Sequence, residues 1–178
     1  MHPRLAELLD YAATQRAVLL NAVAAVPEPV RELRPAPDAW SVAEVLEHLH
    51  LAEQGIAWLV NWHVGEAQAA GVPPEQETAS VVGSLDAFRI PERIQRVSSP
   101  GLVRPRGAMT TAQALVALAE SRRALVAAAT AGDGLALGTI TYAHAILGPL
   151  NLYQWILFIG QHEARHALQI QEIGERLS

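Results

Sequence analysis

The chain has 178 residues, a formal charge of −5, no cysteine and no lysine, so all 13 of its strong bases are arginines. That length suits a single domain, residues 1–178, with a proper core, while scattered arginines under an acidic balance carry no nucleic-acid footprint. Apolar runs fall short of the roughly 20 residues of a membrane span. Without cysteine, disulfides, thiolate ligands and a protein-borne nucleophilic sulfur are excluded, and any thiol chemistry needs an external thiol.

Alanine and leucine dominate, aromatics are 5% and long alternating β-branched runs are lacking, which favours helices. The first residues carry acidic groups and periodic leucines, unlike an export signal, and a cytoplasmic location is expected. A first helix is predicted over about residues 4–25, ending before Pro27-Glu28-Pro29. Beyond Pro35-Ala36-Pro37-Asp38, the segment Trp40-Ser41-Val42-Ala43-Glu44-Val45 reads as a capping box with a Trp40/Val45 hydrophobic staple. The second helix therefore starts at Ser41 and runs to about Ala69, with Gly71 and Pro73-Pro74 beyond it.

Residues 72–109 contain five prolines and several glycines, too long a stretch for an ordinary turn. It reads as a crossover that also covers the functional site, with a short helix over residues 85–94. Thr110-x-x-Gln113 caps a third helix running to about Thr130, with Leu115, Leu118, Ala119, Arg122, Leu125 and Val126 as its stripe. A linker over residues 135–150 leads to Asn151-x-x-Gln154, the cap of the fourth helix.

That helix sets His162 and His166 into an apolar run, one turn apart on one face, the spacing at which two imidazoles share a transition-metal ion. His162-Glu163-Ala164-Arg165-His166 also matches the zinc-peptidase pattern, with Glu163 as general base. Only 12 residues follow His166, however, and Glu172 and Glu175 ride on the same helix, so the third ligand must come from upstream. For Glu163 the plainer expectation is a pairing with a nearby arginine.

The upstream candidates are His48, His50, His63 and His144. At about 100° per residue, His48 shares a face with Val45, Leu51, Ala52, Gly55, Leu59 and Trp62, while His50 points nearly opposite. His48 is thus the inward ring. His63 is expected at the surface, and His144 either satisfies the linker backbone or lines a pocket wall. Gly55 either permits close helix approach or is of no consequence. On the last helix Trp155, Phe158, Ile159, His162, His166, Gln169 and Ile173 share a face. Three polar rings on apolar faces are costly unless their nitrogens find partners, and one shared cation supplies a partner to all three. Gln169, one turn past His166, is a candidate to orient an imidazole behind the ligands.

The pattern Trp40-Ser41-x-x-Glu44-x-x-x-His48-Leu49, followed by His162-x-x-x-His166-x-x-Gln169-Ile170 and preceded by His144-Ala145-Ile146-Leu147-Gly148-Pro149-Leu150, resembles the DinB/YfiT superfamily of small metal-binding proteins. The resemblance implies an all-α, up-down-down-up four-helix bundle with a long crossover between the second and third helices. It also implies a homodimer and a zinc, nickel or iron ion on His48, His162 and His166. Members include thiol-dependent S-transferases using low-molecular-weight thiols and proteins described as hydrolases, so a small-molecule substrate is expected, with the reaction left open. A zinc peptidase and a non-catalytic metal-binding stress-response bundle are the competing readings.

Overall fold

The computed structural model describes residues 1–94 and 100–177; the part of the expected crossover at residues 95–99 lies outside them. Four long helices carry the fold: α1 (Pro3–Ala25), α2 (Val42–Ala70), α3 (Thr111–Ala131) and α4 (Leu152–Leu177). Their ends sit where local chemistry places them. Ser41 Oγ accepts from the Glu44 amide while the Glu44 carboxylate accepts from the Ser41 amide, and Thr110 and Gln113 repeat the exchange at α3. Asn151 and Gln154 do the same for α4. Gly71, at φ +67°, closes α2 in the left-handed conformation that glycine adopts without strain.

α1 packs along α4, and α2 along α3. The order of contacts gives the directions. Tyr11 meets Gly160, Arg16 meets Glu163 and Val26 meets Gly174, advancing together along α1 and α4. Glu53 meets Arg122 and Val64 meets Gly132, so α2 and α3 also run alike. His48 meets His162 near one end of α2, whereas His63 at its other end meets Tyr142, which precedes α4; those two helices are antiparallel. The result is a helical bundle in which the crossover joins two co-directional helices. At Gly160 an added Cβ would sit 2.7 Å from Tyr11 ring carbons, so only glycine lets α1 lie this close to α4.

The core has two halves. One gathers Leu5, Leu8, Val60, Val64, Leu125, Ile156 and Ile159; the other gathers Leu19, Val23, Val45, Leu46, Leu118, Ala167 and Ile170. Leucine- and alanine-rich stripes on four helices bury these positions against one another, which drives the bundle. Trp40 is half-buried and packs on the second half.

Several expectations are corrected. Residues 85–94 do not make one continuous helix: two 3₁₀ helices, Val82–Phe88 and Ile90–Glu92, are separated by Arg89 at φ 50°, and the chain leaves the second at Arg93, φ 51°. The linker before α4 is not irregular throughout but contains an antiparallel hairpin of β1 (Thr141–His144) and β2 (Gly148–Asn151). Gly55 faces open space and brings no helices together. On α3, Ala119 and Val126 are exposed, and the buried line runs instead through Ala114, Leu118, Ser121, Leu125, Ala128 and Ala129. On α2 the face of His48 leaves the core as the helix proceeds, so that Trp62 is 55% exposed and stacks on Trp58. No helix among the described residues is long and apolar enough to cross a membrane.

Candidate metal centre

His48 on α2 and His162 and His166 on α4 converge. The Nε2 atom of His162 lies 3.2 Å from that of His48 and 3.1 Å from that of His166, and one ligand atom from each ring falls within 4.8 Å of the others. A tetrahedral ion with metal–nitrogen bonds of about 2.0–2.1 Å spaces its nitrogens by about 3.4 Å, so the two spacings from His162 stand a few tenths of an ångström from those of a ligand set.

The far sides of the rings decide their tautomers. His48 Nδ1 is 2.7 Å from the Val103 carbonyl oxygen, and His166 Nδ1 is 2.8 Å from Gln169 Oε1. Arg93 Nη1 donates to the same Oε1 at 3.1 Å, which identifies that atom as the oxygen. Both partners can only accept, so in the neutral rings Nδ1 carries the proton and Nε2 presents a lone pair. His162 has one ring proton to place. On Nε2 it can be donated to one of the two Nε2 neighbours, and the other neighbour's lone pair is left without a hydrogen. A shared cation removes that conflict by making all three lone pairs ligands, so the residues present fit the metal.

Burial keeps the rings neutral. His48 is lowered by desolvation against the pull of Val103; His162 and His166 fall well below the ordinary histidine value, chiefly through desolvation and then through mutual repulsion within the trio. Aromatic neighbours frame them: Trp40 lies 5.0 Å from His48, and Phe158 stacks on His162 at 5.0 Å and 20°.

The crossover is built into the site. Backbone amides of Arg106, Gly107 and Ala108 donate to the Glu47 carboxylate at 3.0–3.3 Å, anchoring the segment whose Val103 carbonyl holds His48. Glu47 carried no sequence signal, because its partners are main-chain amides nearly sixty positions away. A cavity of 1090 Å³ opens over the histidines, its wall including Trp40, Phe88, Ile90, Leu147 and Phe158. That is ample for a small organic molecule.

The other histidines divide. His144 does both jobs foreseen for it: its Nδ1 accepts from the amides of Ile146 and Leu147 at 3.2 and 3.1 Å, and its ring lines the cavity 4.7 Å from Phe158. His50 is buried and not outward, because the first turns of α2 are covered on all sides, and its Nδ1 has no hydrogen-bond partner among the described residues. His63 is half-buried, with its ring 5.2 Å from Tyr142.

Glu163 is turned away from base chemistry. Its Oε1 accepts from Arg16 at 2.6 Å and its Oε2 from Arg122 at 2.9 Å, and the same arginines meet Glu53 at 2.8 and 2.5 Å. Ser121 adds a hydroxyl to Glu53 at 2.8 Å. This alternating square takes one residue from each helix and buries both carboxylates. Burial pushes the Glu163 carboxyl up against the pull of Arg122 and Arg16. Glu163 thus makes the pairing with arginines that was its plainer expectation. Glu53, to which the sequence gave no role, is the square's other carboxylate.

Fold and site together define a helical-bundle protein whose three clustered histidines are able to hold a metal ion. Residues 11–170 match the DinB superfamily, and the chain belongs to it. It is also similar to YuaE of Bacillus subtilis (strain 168), described as an uncharacterized protein, at 24% identity over 144 residues, covering 81% of this chain and 83% of that one. No solved structure matches the chain.

Proposed function

We propose that the chain is a metal-dependent enzyme in which His48, His162 and His166 hold a divalent zinc, nickel or iron ion and act on a small molecule admitted through the cavity above them. The observation that carries this reading is the meeting of three Nε2 atoms whose neighbours, Val103 and Gln169, point lone pairs at one spot. A cation on three neutral imidazoles supplies Lewis acidity toward water or a thiol at a remaining coordination position. Two reaction classes fit, hydrolysis and transfer of an external low-molecular-weight thiol to an electrophile; the absence of cysteine means that the thiol comes from solution.

The chain's own contributions follow from the geometry. Val103 and Gln169 hold two rings in the binding tautomer, and the aromatic wall of Trp40 and Phe158 limits water around them. Neutrality of the trio at physiological pH leaves the rings ready to bind a cation without first losing protons. The peptidase reading is disfavoured because both oxygens of Glu163 are engaged by arginines.

Metal analysis of purified protein beside a His48→Ala, His162→Ala double variant tests the site. About one equivalent in the wild type and a near-complete loss in the variant are expected; equal content in both would end the proposal. A panel of thiols with electrophiles, run beside ester and amide substrates, then separates the reaction classes. Stoichiometric metal without turnover on any of them would leave a bundle that binds metal for stability alone.

A further inference from the structure

α2 carries a second stripe that the bundle does not use. Leu51, Gly55, Trp58, Trp62, Gly65 and Ala69 follow one another at steps of four, three, four, three and four residues, the heptad spacing at which one helix seats against another. At about 100° per residue they share one face, opposite the line of Val60, Val64 and Ala67 that enters the core. Leu51 is half-buried and the other five are exposed, Trp58 at 67% and Trp62 at 55%, with the two indole rings stacked at 5.9 Å and 22°.

This stripe costs the single chain stability and returns nothing to it. Rings of this size belong in an apolar contact, yet both are left largely in water, side by side. Gly55 and Gly65 sit inside a helix, where only proline is a poorer former than glycine, and a Cβ at either would meet no atom within 4 Å. Among the described residues no neighbour calls for glycine at either position, whereas bare backbone admits the side chains of a second helix.

The order of the residues says which helix that is. Read from either end about Val60, the stripe runs apolar, glycine, tryptophan, tryptophan, glycine, apolar, and a pattern that reads alike in both directions is matched by its own antiparallel copy. Trp58 then comes level with Trp62 of the partner subunit, and Gly55 with Gly65 of the partner subunit. Side chains lean toward the N-terminus of their helix, so each Trp58 is carried toward the opposite glycine. Charge agrees with this pairing. A two-fold contact sets each residue near the axis against its like, and no Asp, Glu or Arg stands between Glu53 and Glu66. The two tryptophans leave roughly 300 Å² of exposed ring surface per copy, a sizeable share of the about 800 Å² per partner that a stable interface buries. Leu51, Leu59, Gln54 and Asn61 flank them with the remainder, which suits a reversible dimer with a dissociation constant on the order of micromolar.

We propose that α2 is the seam of a homodimer, in which two copies of the chain pack their Trp58 and Trp62 faces antiparallel about a two-fold axis level with Val60, each Trp58 ring entering the space left bare at the other copy's glycine. The seam faces away from the core and requires no metal, so its test is separate from that of the metal centre.

Sedimentation equilibrium of the full chain at loadings from about 0.1 to 100 µM reads the association. A reversible dimer is expected in the wild type. Trp62→Glu, which brings two carboxylates together near the axis, should weaken it by about 100-fold or more. Trp62 is exposed, so this variant is expected to fold, and the glycines carry the test if it does not. Gly55→Ala combined with Gly65→Ala should weaken the dimer about tenfold, while the melting temperature of the diluted monomer holds or rises because alanine favours the helix. Val116→Glu, at an exposed apolar position on α3, is the control and should associate as the wild type does. Because the chain lacks cysteine, Ala69→Cys provides a single spin-label site. Antiparallel copies hold the two labels about 27 Å apart along the helices, and parallel copies hold them side by side. A monomer at every loading, a dimer indifferent to both Trp62→Glu and the glycine pair, equal weakening by Val116→Glu, or labels side by side would each overturn the inference.

Discussion

At His166 one hydrogen bond decides which nitrogen can meet a cation. Gln169 Oε1 accepts at 2.8 Å and is itself pinned by Arg93 at 3.1 Å, so the ring's proton stays on Nδ1. Gln169→Leu should therefore weaken metal affinity by roughly 10- to 100-fold while leaving the bundle folded. Competition against a chromophoric chelator measures this, and an unchanged dissociation constant would strip Gln169 of its orienting role. The histidines themselves were legible in the sequence, because a polar ring at an apolar position violates a helical period that can be counted. Glu53 and Arg16 were not. Each is an ordinary charged residue on its own helix, and their partners are defined only once four helices are packed.

Among the elements, α2 begins with a carboxylate that serves two masters. Burial pushes the Glu44 carboxyl up, but the guanidinium of Arg34 and the Ser41 amide outweigh it and hold it below the ordinary glutamate value. With the folded value the lower one, the unfolded chain takes up a proton first on acidification. The stability contributed by this cap is thus complete above the unfolded value, about pH 4.5, and drains away as pH falls through the lower folded value. In acid unfolding followed by circular dichroism, Glu44→Gln should lose less stability below about pH 4.5 than the wild type; parallel curves would mean that the cap does not titrate. The starts of α2, α3 and α4 were readable to within a residue or two because their caps are written in Ser, Thr, Asn, Glu and Gln, whereas α1, which has no side-chain cap, was bounded by the prolines at Pro3 and Pro27. The hairpin was not readable, since four-residue strands, one of them Gly-Pro-Leu-Asn, give no alternation long enough to register. The short helix expected at residues 85–94 failed for a related reason: its apolar spacing was adequate, but Arg89 and Pro91 interrupt it with a left-handed residue and a lost donor.

Over the whole molecule, the bundle and its crossover followed from the sequence, whereas the charge square at its centre depends on topology. Arg16, Glu53, Arg122 and Glu163 balance two positive against two negative charges in a region where an unpaired ion is costly. Glu163→Gln removes one charge and leaves two guanidiniums facing a single carboxylate. It should destabilise the fold by roughly 3 kcal/mol with metal content intact, as read from denaturant midpoints beside metal analysis. A loss under about 1 kcal/mol would mean that solvent already screens the group. The same placement sets a limit on divergence. Since every helix owns one corner, losing the charge at any single corner leaves the square unbalanced. Descendant sequences can give up part of the arrangement without a net buried charge only by losing an arginine together with a glutamate, so across kin these sites are expected to change in opposite-sign pairs or to stand still.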